Sequence, residues 1–370
     1  CTIWILRIKH KKFKYLWIGY NMAYAAITKP SLYNNTKLYT GTGSSNAQTG
    51  IGFQPDWVWI KRRDTAGDHR MVNAPGGSSY LHSSSTSAVG ADSSYISSFD
   101  SDGFTVGTAA NTNANGGTYV GWCWKANGAG SNNTDGSITT TVSADTARGF
   151  SIVKWTGTTN ADIGHGLGGK PEFILTKSIS NANGFVGWHK DLTGGNEDDR
   201  YIYLSSTGAQ GTTTNYWAGS NGITSTTFGV NANNYDNNIG TMVGYCFRSI
   251  KGYSKIGTYT GNGSTDGTFV YTGFKPSLTI HKRTDSTGYW RIYDNKRSTS
   301  GKNVIDKRLF PQSSEAEDTA AEIDFYSNGF KARGTSGAIN ASGGTYIYMA
   351  FAEEPLVANV GTNGIPATAR

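Results

Sequence analysis

The residues that could most readily support catalysis are four histidines, His69, His165, His189 and His281, and the GHGLGG stretch at 164–169. No two histidines have the spacing of metal ligands on a helix, and none is associated with a Ser or Cys nucleophile motif. A G-x-G-x-x-G loop binds phosphate when a helix follows it immediately, whereas the KPEFILTK that follows here is typical of a strand. We therefore expect no metal, no cofactor and no enzymatic activity.

One catalytic alternative stays open because its residues need not be adjacent in the sequence. Two carboxylates from distant positions can hydrolyse a glycosidic bond. A glycan-degrading depolymerase is therefore kept as an alternative.

The acidic FDSDGF stretch at 99–104 resembles part of a calcium loop. A calcium loop needs several oxygen ligands that end in a bidentate carboxylate. Asp-Gly is also a common hairpin turn, and the counterpart of Asp102 in a later, similar stretch is Asn328. The pattern favours a turn.

Two clusters combine aromatic and polar residues near turns. They contain Trp188 and His189 in the first cluster, and Trp290, Arg291 and Asp294 in the second. Exposed aromatic rings with polar neighbours suit sugar or protein surfaces, so these five are the candidate ligand-binding residues. The alternative is that the tryptophans belong to a hydrophobic core with polar flanks.

The elements that would position these residues recur three times along the chain. The recurring stretches are GFQPDWVWIK at 52–61, GGKPEFILTK at 168–177 and GFKPSLTIHK at 273–282. Their prolines are 116 and 105 residues apart. Related stretches precede and follow each copy in the same order, and each copy ends on a strand-like stretch (GGTYVGWCWKA, IGTMVGYCFRS, GGTYIYMAFAE). This pattern predicts internal repetition with a period the size of a small domain.

The predicted fold is all-β, with three tandem antiparallel β-sandwich repeats of about 105–116 residues, jelly-roll or lectin-like. Frequent Gly (49 residues), 12% aromatic residues and only 16% charged residues agree with many strands and turns. The predicted boundaries are repeat 1 at 22–126, a linker with an extra hairpin at 127–150, repeat 2 at 151–250, repeat 3 at 251–358 and a flexible tail at 359–370. A short helix is expected at Ser313–Phe325, and each repeat proline is expected to mark the start of a strand.

Charge is concentrated at the amino-terminal end. Five of the 33 basic residues and none of the 26 acidic residues lie in 1–21, so the rest of the chain has a net charge of +2. Nucleic-acid binding then loses its main support. We expect residues 1–21 to be a non-native upstream extension with the natural start at Met22. A membrane anchor or signal peptide is the alternative, which the Lys and Arg between its short apolar runs disfavour.

The cysteines are expected to be structural. Cys123 and Cys246 occupy equivalent positions in two repeats, where the third repeat has Ala350. A small buried residue fits all three positions, so each should face the core of its own repeat without forming a disulfide.

As a set, MAYAAITKPSLYNNTKLYTGTG, GFQPDWVWIKRRD, NANGGTYVGWCWKA, YDNKR and ASGGTYIYMAFAE make the chain similar to an uncharacterised family of virion structural or tail-fibre-like proteins of marine tailed phages. The resemblance covers Met22 to about Glu354. It implies a location on the phage particle and brings no catalytic residues.

The expected function is that of a non-enzymatic virion protein in a tail fibre or appendage that adheres to host-surface glycan. A capsid decoration or purely architectural role is the alternative from the same location. The expected partners are other virion proteins, host glycan and further copies of the chain, without nucleic acid or membrane.

Overall fold

The computed structural model describes residues 25–87, 90–157, 160–214, 216–231, 239–298, 303–360 and 363–366. The predicted extension at 1–21 lies outside these ranges. For description the chain is divided into segment 1 (25–126), segment 2 (127–250) and segment 3 (251–366).

Almost all regular structure is strand. Segment 1 contains β1 (Asn34–Thr40), β2 (Asn46–Gln48), β3 (Trp57–Arg62), β4 (Arg70–Asn73), β5 (Ser79–Leu81), β6 (Gly90–Ala91), β7 (Ile96–Asp100), β8 (Gly103–Val106) and β9 (Thr118–Trp124). Segment 2 contains β10 (Ser131–Asn133), β11 (Thr140–Asp145), β12 (Phe150–Gly157), β13 (Ala161–Gly164), β14 (Phe173–Ser178), β15 (Val186–His189), β16 (Arg200–Tyr203), β17 (Gly211–Thr212), β18 (Thr227–Val230) and β19 (Gly240–Phe247). Segment 3 contains β20 (Ser254–Thr260), β21 (Asp266–Tyr271), β22 (Phe274–Arg283), β23 (Arg291–Asp294), β24 (Ile305–Arg308), β25 (Asp318–Tyr326), β26 (Gly329–Arg333), β27 (Thr345–Pro355), β28 (Val357–Val360) and β29 (Asn363–Pro366). One α-helical turn, α1 (Ala110–Asn113), and three 3-10 turns (Pro30–Leu32, Ala74–Gly76, Glu197–Asp199) complete the described elements.

One strand order occurs in all three segments. The orders are β1-β9-β3-β4, β12-β19-β14-β15 and β20-β27-β22-β23, within larger sheets in segments 1 and 2. A second sheet covers one face of each (β2-β8-β7, β13-β18 and β21-β26-β25-β24), and the paired strands are antiparallel. The all-β sandwich fold is confirmed, whereas the division into three independently folding domains stays a prediction.

The structure contradicts two local expectations, those for residues 313–325 and for Pro276. The extra hairpin expected in the linker at 127–150 is present as β10 and β11, and it extends the large sheet of segment 2 because β11 pairs with β12. The expected helix at 313–325 is largely strand β25, since pairing with β24 and β26 overrides the helix propensity of its Ala and Glu residues. Pro276 lies inside β22 and does not mark the start of the strand. The pairing of β22 with β27 shifts register on both sides of Pro276, and such an irregularity tolerates a residue that has no backbone N–H to donate. Where the flexible tail is predicted, at 359–370, β28 pairs with β29, and the flexibility of the tail stays a prediction.

The side chains of β9, β19 and β27, one strand from each segment, alternate between two hydrophobic cores. Cys123, Cys246 and Ala350 are buried in separate clusters between the two sheets of their own segments. Both cysteines are free, as predicted. Small side chains fit here because aromatic rings from the second sheet, such as Phe104 and Phe228, fill the same cores.

The opposite faces of the three large sheets meet in one shared core. Trp57 of segment 1 stacks on Tyr245 of segment 2 with ring centroids 4.4 Å apart. The Phe351 ring of segment 3 meets the rings of Trp124 and Phe247 edge to face, with ring centroids 5.7 and 6.1 Å apart. The large sheets are therefore buried on both faces, unlike a lone sandwich, whose outer faces meet water.

The lysine that ends each repeated stretch connects the segments in a cycle. Lys61, Lys177 and Lys282 are fully buried, and each ammonium donates to a backbone carbonyl of a different segment. The acceptors are, in that order, Ser314 of segment 3 at 3.3 Å, Ser87 of segment 1 at 3.1 Å and Thr207 of segment 2 at 3.0 Å. Each lysine also donates to a carbonyl near its own strand. A buried cation needs such acceptors, which explains why Lys recurs at an interior position.

This burial predicts a pH dependence of stability. Desolvation lowers the pKa of Lys61 from 10.5 to about 8. Between these values the unfolded chain binds the proton and the folded chain does not, so stability should rise with pH in this window and be flat below it. Relative to Lys61→Met, the wild-type chain should gain up to about 1.4 kcal/mol per pH unit from pH 8 upward.

The measurement is urea denaturation of both chains between pH 7 and 10. The matched control is Lys251→Met, which removes one positive charge from an exposed position. A constant difference between wild type and Lys61→Met across this range would contradict the lowered pKa of Lys61.

Candidate functional site

The first predicted ligand cluster is buried in segment 2. The Trp188 indole faces the core between the two sheets and donates from Nε1 to the Glu197 carbonyl at 3.1 Å. His189 points to the other face of the sheet, edge-on to Phe173, and its Nδ1 accepts the backbone N–H of Asp191 at 3.1 Å. Burial lowers the pKa of His189 to about 4, so the imidazole is neutral at physiological pH.

The second predicted cluster is also buried. Trp290 lies in the shared core and donates from Nε1 to the Tyr203 carbonyl at 2.9 Å, which joins segments 3 and 2. The Arg291 guanidinium lies 4.7 Å from the centroid of the Phe310 ring. Asp294 is fully buried.

Asp294 is the centre of a buried charge network between segments 3 and 1. Its Oδ2 accepts from Arg297 Nε at 2.6 Å and from the Trp122 indole of segment 1 at 2.9 Å. Arg297 also pairs with Glu317 at 3.0 Å, and Glu317 pairs through both oxygens with Arg63 of segment 1 at 2.9 Å. Trp290 and Asp294 thus connect segment 3 to segments 2 and 1. A ligand contact at the five predicted residues stays a prediction that their burial does not favour.

The other motifs occur in turns. The GHGLGG stretch connects β13 to β14, so a strand follows it, as predicted. Asp102 lies in the β7–β8 turn and accepts the backbone N–H groups of Gly50 and Gly52 at 2.9 and 2.6 Å. In the described ranges, His, Cys, Asp and Glu side chains do not gather in groups of three or more that would suit a metal ion.

Exposed aromatic side chains mark a different surface. The described part of the chain has four exposed large hydrophobic side chains, and three of them, Phe269, Tyr271 and Tyr326, lie on the second sheet of segment 3. Tyr271 is the most exposed, at 57%. Phe269 and Tyr271 alternate with the buried Val270 along β21, so both rings point outward. We call these three side chains the aromatic face.

Strand pairing brings the three rings together. On the central strand β26, Gly329 pairs with Tyr271 on one side and with Tyr326 on the other. A β-carbon at Gly329 would lie 3.0 Å from the Phe269 ring, so the absent side chain leaves room for this ring. The Phe269 and Tyr326 rings then meet edge to face, 6.0 Å apart.

Charged groups border the aromatic face. Lys331 of β26 pairs with Asp266, and Arg333 pairs with Asp324 at 2.9 Å. An apolar platform with a polar rim is the arrangement by which proteins hold the faces of sugar rings, since the rings stack while hydrogen bonds orient the hydroxyls.

The corresponding second sheets of the other segments differ. In segment 1 the exposed positions of β7 include Ser97 and Ser98. In segment 2 every residue of β13 and β18 is buried. Within the described chain, the aromatic face is therefore a property of segment 3.

The aromatic face was not among the residues predicted from the sequence, although the sequence contains a signal of it. Phe269 and Tyr271 flank Val270 in a strand-like stretch bounded by glycines. This alternation predicts that the two aromatic rings lie on one face of the strand and the valine on the other. It does not show which face meets water, because Tyr119 and Tyr346 occupy similar alternating positions and are buried.

The fold defines an all-β protein of antiparallel sandwiches, with an exposed aromatic face on segment 3. None of its described helices has the length and apolar composition needed to span a bilayer. Residues 29–355 match the family described as Domain of unknown function (DUF7483), and the chain belongs to this family. No curated protein and no solved structure gave a significant match.

Proposed function

We propose that this chain is a non-enzymatic virion protein of a tailed phage, in a tail fibre or appendage, that adheres to glycan on the host surface. The observation that carries the proposal is the aromatic face, Phe269, Tyr271 and Tyr326, exposed on one sheet. The sequence resemblance supplies the virion location, and the other virion proteins would be its partners.

Weak binding at this face is sufficient for adhesion. A shallow platform of three rings buries little ligand surface, so the affinity of one copy is low. A homo-oligomer, or many copies on one particle, would present several such faces to a repetitive polysaccharide, and avidity would multiply the affinity.

The test is saturable binding of the labelled full chain to susceptible cells, compared with cells stripped of surface glycan. Phe269→Ala/Tyr271→Ala/Tyr326→Ala should bind at least about tenfold more weakly, because stacking on aromatic rings dominates such contacts. Tyr289→Ala is the matched control, since Tyr289 is an exposed aromatic residue outside this face.

The other outcomes separate the alternatives. Equal binding to stripped cells would reject glycan adhesion, and absence of binding by any oligomer would favour a capsid decoration or an architectural role. Release of new reducing ends from the polysaccharide would instead show a depolymerase.

A further inference from the structure

A cleft opens beside the aromatic face, at the edge where the two sheets of segment 3 separate. Its lining includes Lys251, Lys255, Tyr271 and Leu356. Lys255 lies on the edge strand β20 of the large sheet, and Tyr271 ends β21 of the second sheet. Tyr271 therefore belongs to both the cleft and the aromatic face, and the two form one continuous surface.

The lining of the cleft includes two lysines that form no ion pair within the described chain. Within the described ranges, neither Lys251 nor Lys255 is in an ion pair, whereas the nearby Lys275 pairs with Glu353 at 2.7 Å. Lys251 is exposed and Lys255 is half-buried, so both ammonium groups can meet a ligand.

The hydroxyl groups beside these lysines are already engaged. Ser249 donates to Glu172 at 2.8 Å, Ser254 donates to the Arg248 carbonyl at 3.3 Å, and Thr272 donates to the Phe274 carbonyl at 2.7 Å. Among the polar side chains of the lining, those that remain for a ligand are the two lysines and Tyr271. This set suits an anion attached to a ring that can stack.

We propose that the cleft binds an acidic sugar of the glycan, one that carries a carboxylate or a sulfate, with Lys251 and Lys255 holding the anion and Tyr271 contacting the ring. The proposal rests on the proposed function and names the class of its ligand. The neighbouring sugars of the same glycan would then extend over Phe269 and Tyr326.

The test uses the surface polysaccharide of cells that bind the chain, in three forms: native, with carboxylates reduced to alcohols, and desulfated. Affinity should fall at least about tenfold on one of the two treatments, since a charge-assisted hydrogen bond contributes about that factor. The variant Lys251→Met/Lys255→Met should bind the native polysaccharide as weakly as the wild-type chain binds the polysaccharide whose anionic group has been removed. The variant and the wild-type chain should bind that treated polysaccharide equally well.

A matched control removes the same charge elsewhere. Lys170→Met/Lys296→Met replaces two exposed lysines outside the cleft and should leave binding unchanged. The acidic-sugar proposal is overturned if neither treatment of the polysaccharide weakens binding, or if the cleft variant binds the native form like wild type. Either result would leave the proposal of adhesion through the aromatic face standing. If the wild-type chain bound no form of the glycan, the proposed function itself would be refuted.

Discussion

Replacing Trp57 with alanine is expected to lower the free energy of unfolding by about 3–5 kcal/mol, the usual loss for a large aromatic side chain in a core. Trp57 stacks on Trp124 of its own segment at 4.3 Å and on Tyr245 of segment 2 at 4.4 Å. Its removal would leave a cavity that neighbouring rings on two rigid sheets cannot close. The measurement is chemical denaturation, with hydrogen exchange to locate the effect.

The position of the effect tests whether the core is shared. Trp57→Ala should accelerate exchange in β3 and also in β19 of segment 2. Trp155→Ala is the matched control, because Trp155 is equally buried but faces only the core of segment 2. If Trp57→Ala changed exchange in segment 1 alone, the shared core would be refuted.

The second large effect is expected at Asp294. Asp294→Asn keeps the size of the side chain but places an amide against the Arg297 guanidinium, and both side chains are fully buried. Breaking a buried charge pair costs about 3–5 kcal/mol, because the remaining charge has no solvent to compensate it. Denaturation should therefore show a loss of this size.

An exposed pair of the same type gives the control. Asp285 pairs with Arg283 at 2.9 Å and is 38% exposed, so Asp285→Asn should cost no more than about 1 kcal/mol. Equal losses for the two variants would show that the Asp294 network does not hold segments 1 and 3 together.

The alternation of the last strands allowed much of the fold to be predicted. Cys123, Cys246 and Ala350 were assigned to separate cores from their equivalent positions alone, because a strand gives alternate residues to opposite faces. In β9 the same alternation directs Trp122 and Trp124 to the other face, which lies in the shared core. It could not show what covers that face, because strand periodicity contains no information about the neighbouring segment.

The site could be predicted much less well. Trp188 and Trp290 have polar sequence neighbours, as surface aromatic residues do, but those neighbours satisfy backbone groups and charges inside the protein. The partner of Lys61 is 253 residues away, which local pattern cannot reveal. Phe269 and Tyr271 are exposed because the outer face of the second sheet of segment 3 is not covered by another described sheet. Tertiary packing determines this, and strand periodicity does not reveal it.

The most direct test of the adhesive role is hydrogen exchange of the full chain with and without the surface polysaccharide of susceptible cells. We expect protection in β21, β25 and β26 and around the cleft, with none in Phe269→Ala/Tyr271→Ala/Tyr326→Ala. Protection confined to segment 1 or 2, or absent at saturating polysaccharide, would contradict adhesion through the aromatic face.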